Sequence, residues 1–161
     1  MDAIVAVSKN WGIGKDNDLL FSIPEDMAFF RETTKGGTVI MGRATLLSLP
    51  AGKPLKNRRN IVLSTREGFE VPEAEVAKSP EAAIELAGDD ERVFVIGGAS
   101  VYRQMLPFCD RVYVTLVDAE PEADCFFPNL DRDPQWERSE IGPEKIHKEL
   151  AFRFSVYRRK K

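Results

Sequence analysis

The chain has 161 residues, of which 43% are hydrophobic and 30% charged, enough for a globular domain with its own core. A net charge of −3 without a basic stripe argues against nucleic acid as a partner. No apolar run approaches the ~20 residues of a membrane helix, so a cytoplasmic protein with no membrane partner is expected.

The N-terminal "MDAIVAVSKN" carries an acid at position 2 and reads as a first strand, not a leader. The polar stretch 9–22, with Gly12 and Gly14 as hinges, reads as a long lid-like loop. "SIPEDMAFFRE" (22–32) then opens a helix, with Ser22 and Glu25 in capping-box spacing and Pro24 in the first turn. Asp26 falls on one face with Ile23, Phe29 and Phe30. An acid there can simply answer the helix dipole, or it can be a carboxyl held in an apolar cleft with a raised pKa.

Three units follow a strand, glycine or small polar group, helix or turn plan: 38–49, 60–68 and 93–106. Their near-continuous Val/Ile/Leu runs suit parallel strands buried on both faces. A short strand near "EVAKS" precedes a helix that starts at Ser79-Pro80 and ends at Gly88. After the strand in "DRVYVTLVDAEP", the segments "QWERSEI" and "AFRFSVYRR" alternate apolar and polar residues and are expected to pair antiparallel at one edge. The fold class is therefore α/β, with a mostly parallel central sheet of about eight strands, an antiparallel C-terminal edge hairpin and four flanking helices. Cys109 and Cys125 are expected as reduced thiols, His147 in a solvated turn, and the "RRKK" end in solvent.

Chemistry concentrates at the strand ends. Gly97-Gly98 between a strand and a helix lets a phosphate approach the main chain. "MGRAT" repeats that logic with Gly42, Arg43, Ala44 and Thr45. At the next strand end stand Leu63, Ser64, Thr65 and Arg66, with Lys78 one strand further on. Arginine and small hydroxyls in that place suit the 2′-phosphate of NADP rather than the ribose of NAD. There is no GxGxxG and no Walker A sequence, and no metal is expected.

Taken in order, "IVAVSKNWGIGKDNDL", "IPEDMAFFR", "VIMGRAT", "NIVLS", "VFVIGGASVY", "VYVT" and "DCFFP" resemble the dihydrofolate reductase family over nearly the whole chain. The resemblance implies one domain over 1–161, monomeric, using NADPH to reduce dihydrofolate and binding antifolate inhibitors. By position it implies that Asp26 holds the pterin's pyrimidine edge, with Thr115 supporting it. Asp26, Leu19 and Thr115 are the catalytic candidates. Ile4, Val5, Met27, Phe30, Leu49 and Ile96 match the pterin slot, with Leu19, Met27 and Phe30 shielding the acid. Arg58 matches the clamp on the substrate's glutamate carboxylate, with Arg59 beside it.

Ala6, Ile13 and Asn17 fall at the nicotinamide end and lid of the cofactor site. Gly42, Arg43, Ala44, Thr45, Leu63, Ser64, Thr65 and Lys78 fall on its adenosine-phosphate track. Ile96, Gly97, Gly98, Ala99, Ser100, Val101 and Tyr102 fall at the pyrophosphate and nicotinamide, and the Gly97–Gly98 peptide is expected cis. Phe21, Leu46 and Ala123 depart from common family residues (Trp, an aromatic and Gly), and none removes a chemical group. The same fold also serves a riboflavin-pathway reductase, which should lack the acid and the clamping arginine.

Overall fold

The structure is a computed structural model describing residues 1–16 and 18–160. Asn17 therefore lies outside the described residues. The strands are β1 (Asp2–Val7), β2 (Gly12–Lys15), β3 (Asp18–Leu19), β4 (Thr38–Gly42), β5 (Arg59–Leu63), β6 (Glu75–Ala77), β7 (Val93–Gly97), β8 (Arg111–Val117), β9 (Cys125–Phe126), β10 (Trp136–Ile141), β11 (Lys145–His147) and β12 (Leu150–Arg159). The helices are α1 (Pro24–Thr34), α2 (Arg43–Ser48), α3 (Pro80–Ala87) and α4 (Ala99–Met105).

The main sheet runs β10-β12-β8-β1-β7-β4-β5-β6, with β11 added beside β12. From β8 to β6 every pairing is parallel, while β12 is antiparallel to β8, β10 and β11. The expected α/β class and antiparallel C-terminal edge are both present. Every residue of β4 is buried, because helices and loops cover both faces and no period-2 alternation survives. One core cluster gathers Val5, Ile40, Ile61, Val95 and Met105; a second gathers Ile4, Val39, Met41 and Phe94. Strand alternation sends neighbours such as Ile4 and Val5 to opposite layers.

Helix α3 follows its sequence signals: the Ser79 side chain accepts from Ala82 N, and Gly88 ends the helix at φ 54. Helix α1 does not. Its N-cap is Ile23 rather than Ser22, and no side chain caps it. Ile23 is 1% exposed and packs with Val117 and Phe152, so burial of an apolar residue sets the chain's entry and the Ser22 hydroxyl is one position early. Pro24 at the first helical position lacks an N–H that would need an acceptor.

Two further expectations change. The 9–22 stretch is not a plain loop. Its β2 and β3 form an antiparallel pair that β9 extends into a small second sheet. The pairing is pinned by Asp124 N to Gly14 O and by Asp16 N to an Asp124 carboxylate oxygen, each 3.0 Å. A Cβ on Gly12 would lie 2.8 Å from Ala123 Cβ, so only glycine allows this approach. His147 lies in β11, half-buried, rather than in a turn. Both cysteines are free, as expected, and burial pushes the Cys109 thiol up to about 12.

Candidate active site

The site begins where the sheet splits. β1 pairs with β8 over its whole length, from Asp2 to Val7, but with β7 only at Asp2 and Ala3. Beyond Ala3 the two strands part, and a slot opens at their carboxyl ends, the usual ligand position in α/β sheets. Tyr102 spans the gap from α4: its hydroxyl donates to Ile4 O at 2.7 Å. Tyr102 is fully buried, and that burial raises its pKa, so it stays a neutral donor.

Helix α1 crosses this region. Ile4 shares a cluster with Phe30, Leu49 and Ile96, joined by Leu55, and together they form one apolar wall. Within reach of it, Asp26 is half-buried. Thr115, 3% exposed on β8, donates its hydroxyl to Asp26 Oδ1 at 2.6 Å. Burial raises the Asp26 pKa above 3.8, and the Thr115 bond only partly offsets this. Both outcomes for Asp26 weighed from sequence are therefore decided in favour of a carboxyl held away from water. It is a first-turn acid too, but one facing a buried threonine.

Not every proposed neighbour joins in. Leu19 is 78% exposed and Met27 50%. Leu19 sits on β3, the outer strand of the small sheet, so it adds little to the burial of Asp26, contrary to the shielding expected of it. Val5 and Val101 point into the main core, leaving only their backbones for a ligand. Ile13 is also buried there, whereas Ala6 is half-buried opposite Thr115.

Three adjacent parallel strands end in step: Gly42 pairs with Leu63 on β5, and Leu63 with Ala77 on β6. Arg43, Ser64 and Lys78 are the residues immediately after those ends, which brings the anion-binding candidates side by side. Ser64 N bonds Ala77 O at 2.9 Å, and Arg66 N bonds Ser64 Oγ at 3.2 Å. Thr65 and Lys78 are exposed and Arg43 half-buried. Neither Arg43 nor Lys78 forms an ion pair among the described residues.

The glycines form a cradle beside this track. A Cβ on Gly42 would lie 3.0 Å from Val101 Cγ2, and one on Gly97 would lie 3.3 Å from Thr45 Oγ1. The Gly97–Gly98 peptide is cis, and Gly97 has φ 127. Ala44 and Ser100 are exposed on the first turns of α2 and α4, and Ala99 is half-buried. Side chains at the glycine positions would fill the groove that a pyrophosphate needs. The residues present therefore fit a dinucleotide.

The two arginines of "NRRN" part company. Arg59 is taken up by Glu75, at 2.5 and 2.8 Å, and by Asp90 at 2.8 Å. Arg58 turns the other way, to Thr34 Oγ1, Arg31 O and Lys56 O. A cleft of about 560 Å³ at the amino ends of β4, β5 and β7 includes both arginines, Thr38, Asp90 and Arg92. Its lining is polar or glycine throughout, so it offers no apolar wall for a ring, and it meets the slot only through Arg58. Sequence reading missed Leu55 and Thr34. Leu55, an apolar residue alone in the polar "KPLKN" loop, was the visible signal; Thr34 had none.

A family model described as dihydrofolate reductase matches residues 1–159. The dihydrofolate reductase of Staphylococcus haemolyticus is 39% identical over 160 residues, covering 97% of this chain and 93% of the relative. That of Bacillus subtilis (strain 168) is 37% identical over 159 residues, covering 98% and 93%. A solved dihydrofolate reductase from Enterococcus faecalis, complexed with NADP(H) and RAB-propyl, superposes with a TM-score of 0.89 at 32% identity, covering 99% of this chain and 96% of that one. Agreement of sequence and fold along the full length, on a split sheet with a half-buried acid in its slot, means that this chain belongs to the dihydrofolate reductase family.

Proposed function

We propose that the chain reduces 7,8-dihydrofolate to 5,6,7,8-tetrahydrofolate with NADPH, supplying one-carbon metabolism. The observation that carries this reading is the Asp26 carboxyl, half-buried, bonded to Thr115 and raised in pKa beside an apolar wall. Flat aromatic rings with an amidine-like N–H edge match that combination: the wall takes the ring faces, and the acid accepts the 2-amino and adjacent ring N–H. Antifolates presenting the same edge would compete for Asp26.

Bound NADPH supplies the hydride delivered to substrate C6. The protein's part is placement and proton handling. Arg43, Ser64, Thr65 and Lys78 would hold the 2′-phosphate, and Gly42, Thr45 and the Gly97–Ser100 turn would hold the pyrophosphate. Ile4, Phe30, Leu49 and Ile96 fix the pterin plane and exclude water from its faces. Asp26 orients the ring and favours the substrate protonated at N5, the proton coming from solvent. Arg58 would take the glutamate carboxylate at the far end.

Two free cysteines suit a reducing cytoplasm, and among the described residues no helix is long and apolar enough to cross a membrane. The deciding assay is loss of NADPH absorbance on adding dihydrofolate, run beside NADH. Turnover that needs dihydrofolate and prefers NADPH supports the reading. Turnover with a riboflavin-pathway pyrimidine, and none with dihydrofolate, would replace it.

A further inference from the structure

Arg58 is held by three hydrogen bonds within the chain. Its Nε donates to Thr34 Oγ1 at 2.8 Å, Nη2 to Arg31 O at 3.2 Å and Nη1 to Lys56 O at 2.5 Å. A guanidinium carries five N–H groups, so one remains on each terminal nitrogen, the forked pair that fits a carboxylate. Arg59 keeps as many N–H groups, but its charge is already matched by the carboxylates of Glu75 and Asp90, whereas the partners of Arg58 are a hydroxyl and two carbonyl oxygens that leave its charge unpaired.

Thr34 is the unusual partner. It is 0% exposed, and its hydroxyl donates to Phe30 O at 2.8 Å, which leaves an oxygen lone pair for Arg58. Thr34 and Arg31 belong to the last turn of α1, where the helix dipole favours a cation. Burial, and then the nearby Arg31 charge, disfavour the Arg58 cation, and a carboxylate paired with it would offset both. Asp26 stands in the first turn of the same helix. Eight residues separate it from Thr34, about 12 Å along the helix axis.

We infer that Thr34 is a positioning residue. Its buried hydroxyl locks Arg58 to the end of α1, so one rigid helix sets the spacing between the acid at the substrate's pyrimidine end and the guanidinium at its carboxylate end. The inference rests on the proposed function and extends it, because it assigns the discrimination between tailed and tailless substrates to a residue that touches neither ligand.

The test is steady-state kinetics of Thr34→Val, isosteric but without the hydroxyl, on two substrates: dihydrofolate and 6-methyl-7,8-dihydropterin, which lacks the benzoylglutamate tail. The KM for dihydrofolate should rise about tenfold, the loss of one hydrogen bond to a charged group. Its kcat should stay within about twofold, and constants for the tailless pterin should not move. Thr34→Ser should restore the dihydrofolate KM. In an Arg58→Gln background, Thr34→Val should add nothing further.

Equal KM shifts for both substrates, an unchanged dihydrofolate KM, or additive losses in the double variant would overturn the inference. NADPH binding reports folding. If Thr34→Val does not fold, Thr34→Ala is read on the same criteria. Absence of dihydrofolate turnover in the unsubstituted chain would overturn the functional reading and this inference together, whereas equal shifts overturn this one alone.

Discussion

Thr115 Oγ1 lies 2.6 Å from Asp26 Oδ1, although 89 positions separate the two residues. The bond joins α1 to β8, an interior strand of the main sheet. It also leaves the rest of the carboxylate for a ligand, since a carboxylate offers about four acceptor sites.

Replacing Asp26 by Asn keeps an oxygen that can accept from Thr115 and removes the titrating group. Turnover at neutral pH should fall at least about a hundredfold, while NADPH still binds. Near-normal turnover in Asp26→Asn would contradict the role assigned here.

The same substitution carries a stability signature. Burial raises the Asp26 pKa above 3.8, so the folded chain holds this proton more tightly than the unfolded one. Its contribution to stability is fully present below the unfolded-state pKa and is lost as pH rises through the raised value. Asp26→Asn should therefore melt higher than the parent at pH 7, and the gap should close as pH falls toward 4. Melting curves at pH 4, 5.5 and 7 test this, and a gap independent of pH would refute the burial argument.

Arg43 follows the end of β4 in line with Ser64 and Lys78, without an ion pair of its own among the described residues. Arg43→Ala should weaken NADPH by roughly tenfold or more, as removal of a charge-assisted hydrogen bond does. NADH, which lacks the 2′-phosphate, should be nearly unaffected. Equal losses measured by fluorescence titration would reject the phosphate assignment.

Gly97 has φ 127, and a Cβ there would meet Thr45 Oγ1 at 3.3 Å. Gly97→Ala should cost about 1–3 kcal/mol in backbone strain and depress NADPH affinity. Gly68 also has positive φ, but a Cβ there would meet nothing within 4 Å. Gly68→Ala should lower stability and leave cofactor binding intact. Thermal melts paired with NADPH titrations separate the two effects.

The neighbouring arginines should behave oppositely. Arg58→Ala should raise the KM for dihydrofolate with little change in Tm. Arg59 spends its charge on Glu75 and Asp90 at the surface, and exposed pairs contribute little. Arg59→Ala should lower Tm by about 3 °C or less, less still at high salt, and leave KM unchanged. A KM effect from Arg59→Ala would reverse the assignment.

Much of this could be read along the chain. The parallel strands were legible because β4 and β7 must be apolar on both faces. Helix α3 was legible because Ser79, Pro80 and Gly88 act locally. The family motifs placed Asp26, Arg43 and the glycine pair because each motif carries its chemistry within a few residues. Local signals also misled. Ser22 and Glu25 spell a capping box, yet the burial of Ile23 against Val117 and Phe152 moved the helix start. The 9–22 stretch looked like loop because its strand partner, Cys125–Phe126, lies more than a hundred residues away.

Sequence by itself determined the class of fold, the chemical groups available and the residue types at the strand ends, because these depend on composition, periodicity and short-range motifs. Only the tertiary structure decided which groups meet. It parted β1 from β7 above Ala3, set Thr115 against Asp26, turned Arg58 toward Thr34 and Arg59 toward Glu75, and left Leu19 outside the slot. Each of these depends on long-range packing and strand register, in which a side chain's partner is chosen by the whole sheet rather than by its neighbours in sequence.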